Sequence, residues 1–132
     1  MREMYDVGQA AALEYAPDVD GLADPGEVVW AWVPYEEDPR RGKDRPLVVV
    51  GRAGRRLVAM MLSSQSEHAG QPEWLELGRG AWDGDGRTSY LRLDRVFVLD
   101  EHDIRREAAA LDADRFAQVA AALHRTYGWS GP

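Results

Sequence analysis

Apolar residues fall into short runs along the middle of the chain, each closed by turn-forming residues. Val28-Val29-Trp30-Ala31-Trp32-Val33 stops at Pro34, and Leu47-Val48-Val49-Val50 starts at Pro46. Gly51-Arg52-Ala53-Gly54 then turns the chain into Leu57-Val58-Ala59-Met60-Met61-Leu62. Trp74-Leu75-Glu76-Leu77, Tyr90-Leu91-Arg92-Leu93 and Val96-Phe97-Val98-Leu99 continue the series, with dense turn chemistry at Asp83-Gly84-Asp85-Gly86. β-Branched and aromatic runs between Gly, Pro and Asp punctuation predict strands. The first has no polar alternation and reads as buried on both faces. Five or six short strands joined by tight turns predict a small barrel.

After Leu99 the spacing becomes helical. Leu99, Asp100 and Ile104, and again Leu111, Asp112 and Phe116, place an apolar residue, an N-cap and an apolar fourth helical position in the order of a hydrophobic staple. They predict two C-terminal helices. In the second, Phe116, Val119, Ala120, Leu123 and Tyr127 form a stripe expected to cover one end of the barrel, and Gly128 is a stop. A short helix is also expected around residues 3–14. The fold class predicted is mainly β with C-terminal helices, an α+β arrangement. Residues 1–24 read as an acidic N-terminal extension, 25–128 as the domain, and 129–132 as a loosely held tail.

Composition narrows the chemistry. At 132 residues, 45% hydrophobic and with five tryptophans, the chain suits a single core. No apolar run approaches the roughly 20 residues that span a bilayer, and residues 1–24 lack a secretory pattern, so a cytoplasmic protein is expected. With no cysteine, thiolate metal sites, disulfides and cysteine nucleophiles are excluded together. Asp83-Gly84-Asp85-Gly86 lacks the downstream glycine and glutamate of a calcium loop, and neither a metal nor a cofactor is expected.

The net charge of −7 argues against indiscriminate nucleic-acid binding, but it is unevenly spread. Residues 1–24 carry six acids against Arg2, while residues 39–56 carry seven cations against the single acid Asp44. That basic stretch is able to face phosphate; as a charge run it also reads as a solvated hairpin surface.

In order and spacing these features resemble the MazF/PemK family, the ribonuclease toxins of bacterial toxin–antitoxin pairs. Gly26-Glu27-Val28-Val29-Trp30 matches the family's opening strand, Arg45-Pro46 the Arg-Pro pair that leads into the next, Ser63-Ser64 the Thr/Ser closing the third, and Arg92-Leu93-Asp94 a late Arg-x-Asp of PemK-like members. The similarity runs over roughly residues 26–127. One loop departs from the pattern: Asp38-Pro39-Arg40-Arg41-Gly42-Lys43 stands where the family usually reads Gly-x-Glu-Gln-x-Gly. The resemblance implies an SH3-like barrel, a homodimer, an antitoxin partner, and metal-independent, sequence-selective cleavage of single-stranded RNA.

In such cleavage a base takes the 2′-hydroxyl proton, the oxygen attacks the adjacent phosphorus, and donors stabilise the charge that develops. Arg45 suits the donor role, since a guanidinium is always charged and offers paired donors to phosphate. Ser63 either adds a hydroxyl donor or caps the strand end. Asp94 is the carboxylate nominated as base and Arg92 as a phosphate ligand, with a structural Arg92–Asp94 ion pair as the alternative. Tyr35, Arg40, Arg41, Lys43, Ser64 and His68 are the expected substrate contacts. His68 also reads as an exposed loop residue, and among the aromatics only Tyr35 is expected to be exposed. Two further readings remain: a catalytically degenerate barrel that binds protein or RNA, and an acidic leader that folds onto the basic patch and holds the enzyme off.

Overall fold

The computed structural model describes residues 2–4 and 23–129. Strands β1 (Arg2–Met4), β2 (Glu27–Pro34), β3 (Gly42–Ala53), β4 (Arg56–Ser63), β5 (Trp74–Gly78), β6 (Ser89–Arg92), β7 (Val96–Leu99) and β8 (Arg105–Ala110) precede one helix, α1 (Ala113–Tyr127). All pair antiparallel in the order β1-β7-β4-β3-β2-β8, with β6 also on β4 and β5 on β6. The ladder path ends at β1 and β8, so among the described residues the sheet is open and bent rather than closed into the expected barrel.

The run expected to be buried on both faces is so only at its start: its odd residues feed one core throughout, while on the even face Val28 joins a second core, Trp30 is half-buried and Trp32 is exposed. Val29, Ala31 and Val33 join Leu47, Val49, Leu57, Ala59, Met61, Phe97 and Leu99. Val28 joins Val48, Val50, Val58, Met60, Leu62 and Leu91, which also receive Val119 and Leu123 from α1. β4 changes partner along its length: Leu57–Ala59 pair with β7, while Leu62 and Ser63 pair with Leu91 and Tyr90 of β6. That switch leaves room at the far end of β4.

α1 begins and ends as its sequence dictates. Asp112 accepts from the Arg115 backbone N–H at 3.2 Å, and Gly128 adopts a left-handed φ of 73° with its N–H on the His124 carbonyl at 2.8 Å. Phe116, Val119, Ala122 and Leu123 are its buried face.

Three expectations are corrected. The helix predicted after Asp100 is a single 3-10 turn, Glu101–Asp103, with a genuine capping box in which the Asp100 N–H donates to Asp103 at 2.9 Å. The chain then extends at Ile104 and runs as β8 along β2. Pairing the open edge of β2 outweighs the helix propensity of Glu107-Ala108-Ala109-Ala110. Only one C-terminal helix therefore exists among the described residues. Residues 2–4 form a strand on β7 where a helix was expected to begin; the rest of that stretch lies outside the described residues. Trp129, expected to be loose, is 5% exposed and stacks on Tyr127, with centroids 5.0 Å apart; residues 130–132 lie outside the described residues.

Candidate functional site

A cleft of about 400 Å³ opens beyond the end of β4. One wall is Trp30 of β2 with Lys43, Asp44, Arg45 and Pro46 of β3; the floor is Leu62, Ser63, Ser64 and Gln65; the far wall comes from Trp82–Asp85, Arg87 and Ser89. Strand register explains the convergence. The β3–β4 ladder ends with Leu47 opposite Met61, and two residues further on Arg45 and Ser63 both reach the cleft. Ser63 is buried, and its Oγ accepts the Gln65 N–H at 3.3 Å. The hydroxyl thus braces the turn and still has its own proton to donate.

The far wall is braced from beneath. Trp82 is buried and donates its indole N–H to Ser89 Oγ at 2.8 Å. Its ring fills the space where a Cβ on Gly80 would sit, at 1.8 Å, so only glycine fits there. Arg115 of α1 lies over the same ring at 5.6 Å and donates to the Leu77 carbonyl at 2.7 Å. The helix thereby fixes the segment that closes the cleft.

The electrostatics of the cleft follow from which charges are already neutralised. Asp44 is gripped by the Arg105 fork, with one bond of 3.0 Å, and this holds its carboxyl below the usual range despite a small opposing effect of burial. Asp83 accepts from Arg87 at 3.0 Å, and Asp85 lies 3.7 Å from the same guanidinium. Of the basic stretch, Arg40 pairs with Asp38 at 3.3 Å, Arg52 with Glu101 at 3.8 Å and Arg56 with Asp100 at 3.5 Å. Lys43 and Arg45, both lining the cleft, have no acidic partner within ion-pair distance among the described residues.

The remaining sequence candidates lie elsewhere. Arg92 and Asp94 form the ion pair that was the structural alternative: Arg92 Nε to Asp94 is 2.6 Å, and the same guanidinium reaches Glu36 at 3.3 Å. Burial disfavours charge on Arg92, yet Asp94 and Glu36 outweigh it and raise its pKa further above the ordinary arginine value. His68 stacks flat on Trp74, with centroids 3.6 Å apart and planes 12° apart, and its Nδ1 is 3.3 Å from the Gln71 side-chain oxygen. Arg92 lies over the same Trp74 ring at 5.7 Å. Neither Arg92, Asp94 nor His68 lines the cleft. Tyr35, half-buried, starts a loop that its N–H closes on the Arg41 carbonyl at 2.8 Å, with Arg40 and Arg41 exposed at its tip.

The structure also shows participants that were not nominated. Gln65, Arg87 and the Trp82–Ser89 pair wall the cleft, and Trp32, at 50% exposed, is the large apolar residue left in solvent among the described residues. The signal for Trp32 was its spacing of two from Trp30, which puts both rings on one strand face.

The fold has recognisable relatives. Over 84% of this chain and 100% of the other, it superposes on MazF in a MazE–MazF crystal structure from Deinococcus radiodurans, with a TM-score of 0.60 and 24% identity. A second Deinococcus radiodurans MazF structure gives a TM-score of 0.59 and 25% identity over 83% and 99% of the two chains. A mycobacterial endoribonuclease gives 0.54 and 17% over 83% and 96%. No curated protein matches significantly. The sequence pattern of a family described as PemK-like, MazF-like toxins of type II toxin–antitoxin systems matches residues 24–127, which include every residue of the cleft. The chain belongs to that PemK-like, MazF-like toxin family.

Proposed function

We propose that the protein is an endoribonuclease toxin that cuts single-stranded RNA in this cleft, acting as a homodimer restrained by a cognate antitoxin. The observation that carries the reading is the pair of unneutralised cations, Lys43 and Arg45, facing the same cleft as the Ser63 and Ser64 hydroxyls. Leaving two cations unpaired at a concave surface favours an anionic ligand, and the acids around them are already bonded to arginines. The MazE-bound relative supports an antitoxin partner, and the mycobacterial endoribonuclease supports the reaction class.

Arg45 donates to the phosphate oxygens as charge develops on them, and Ser63 and Ser64 supply further donors. Attack of the 2′-oxygen on phosphorus expels the 5′-oxygen and leaves a cyclic phosphate and a 5′-hydroxyl. Asp94 lies outside the cleft and is bonded to Arg92, so it serves as base only if bound RNA both reaches it and displaces Arg92, and the roles of Arg45 and Asp94 separate experimentally. The test is incubation of the purified protein with a long, weakly structured RNA in EDTA, alongside Arg45→Ala, with end-group analysis of the fragments. Discrete cuts bearing cyclic phosphate that disappear in the variant are expected. An absence of cuts would replace the enzyme by a barrel-like binding module.

A further inference from the structure

Trp32 lies on β2 two residues beyond the cleft residue Trp30, in an arrangement that needs an explanation. A tryptophan contributes its large apolar surface to a core wherever it can, and the other four in this chain are buried or half-buried. Trp32 is 50% exposed. It lies opposite Asp44 in the β2–β3 ladder, between Trp30 opposite Pro46 and Pro34 opposite Gly42. Residues directly paired across an antiparallel ladder share a face, so Trp32 continues the surface whose Trp30, Asp44 and Pro46 line the cleft.

The indole is also seated. A Cβ on Gly42 would lie 2.6 Å from the Trp32 ring and 2.4 Å from the Val33 carbonyl oxygen. The ring is therefore laid against bare backbone, and only glycine at position 42 permits it. Such packing limits rotation of the ring while keeping much of its surface in water. Lys43 and Arg45, two cations that line the cleft and have no acidic partner among the described residues, stand on either side of Asp44 along β3, opposite Val33 and Ala31 of β2. The acid between them, Asp44, is neutralised by Arg105.

We infer that Trp32 is a stacking platform for one base of the RNA strand, beside the cleft in which Lys43 and Arg45 hold a phosphate. This rests on the ribonuclease reading and adds a base contact to it. An exposed aromatic beside cations that track a backbone is the combination by which proteins hold single strands. Protein docking is the competing use of an exposed tryptophan; the flanking unpaired cations favour a polyanion.

The test uses 2′-O-methyl oligonucleotides, which lack the attacking hydroxyl, carrying one abasic position at a time. Trp32→Ala is expected to weaken binding of the intact strand by roughly ten- to a hundredfold, and Trp32→Phe to restore most of it. Wild-type protein should lose a similar factor at one abasic position, and Trp32→Ala should be indifferent to that same change. Full-affinity binding by Trp32→Ala, or additive losses from variant and abasic site, would overturn the inference. If Arg45-dependent cleavage persists in that case, the ribonuclease reading stands and only the platform falls. If no oligonucleotide binds and no RNA is cut, both fall. Normal RNA binding with an altered oligomeric mass would assign Trp32 to a protein interface instead.

Discussion

Two arginines mark two different uses of the same side chain. Arg45 lines the cleft with no acidic partner among the described residues. Arg92 is held by Asp94 and Glu36 and lies over Trp74, on which His68 also stacks. A guanidinium whose donors are spent inside the protein ties elements together: here it links the end of β6 to the loop after β2 and to β5. One whose donors are unspent at a concave surface is available to a ligand. The same reasoning separates Lys43 from Arg40, Arg52 and Arg56, so of the seven cations in the basic stretch two face the cleft and three are held by acids, while Arg41 and Arg55 are exposed outside it.

Arg45→Ala is the sharpest way to break that contrast. Loss of a transition-state donor is expected to lower turnover about a hundredfold or more, with the melting temperature close to that of the unaltered protein because no folded-state partner is lost. A loss confined to RNA affinity would make Arg45 a positioning contact. Arg92→Ala should behave in the opposite sense, with cleavage largely kept and stability lowered by about 1–2 kcal/mol, since its ion pairs and its contact with Trp74 go together. Asp94→Asn should lower stability less and leave cleavage in place. If Asp94→Asn abolishes cleavage instead, the carboxylate is the base and the ion pair is only its resting state.

Much of this was legible beforehand. β2, β3, β4, β6 and β7 follow the apolar runs, and α1 has its predicted cap and stop at Asp112 and Gly128, because each of these signals is local. β8 was not legible: its alanines favour helix locally, and the open edge of β2 that draws them into a strand is a tertiary fact. For the site, Arg45, Lys43, Ser63 and Ser64 converge in space. Arg92, Asp94 and His68 are nominated by residue type alone, and sequence does not show whether a charge is already paired. Trp32 was hidden by treating its whole run as doubly buried, when the even face of β2 emerges from the core at its end.

Acid offers a milder perturbation, directed at the paired carboxylates. Asp112 is held below its ordinary pKa by the Arg115 side chain, and Asp44 by Arg105. A carboxyl depressed on folding stabilises the protein above its unfolded pKa of about 3.9, and that stabilisation is lost as pH falls from there through the lower folded value. Melting temperatures measured from neutral pH downward should therefore begin to fall below about pH 4. Asp112→Asn, which keeps an acceptor for the helix cap, should flatten part of that decline. An unchanged profile in Asp112→Asn would mean that other carboxyls govern the acid limb.

The smallest effect tests whether neutralised acids matter to the cleft. Arg105 lies on β8, outside the cleft, and the fork it offers Asp44 cancels the negative charge that stands between Lys43 and Arg45. Arg105→Ala should weaken binding of a 2′-O-methyl oligonucleotide roughly two- to fivefold at low salt, and the difference should shrink at high salt as the exposed charges are screened. Adding Asp44→Asn to that variant removes the uncovered carboxylate and should recover the lost affinity. Because Arg105 does not line the cleft, such a recovery would assign the loss to the uncovered Asp44 carboxylate rather than to a missing Arg105 contact. If Arg105→Ala alone binds as tightly as the unaltered protein at low salt, the pairing of Asp44 contributes nothing to the cleft. The contrast between spent and unspent charges would then hold for Arg45 and Arg92 but not for the acids around them.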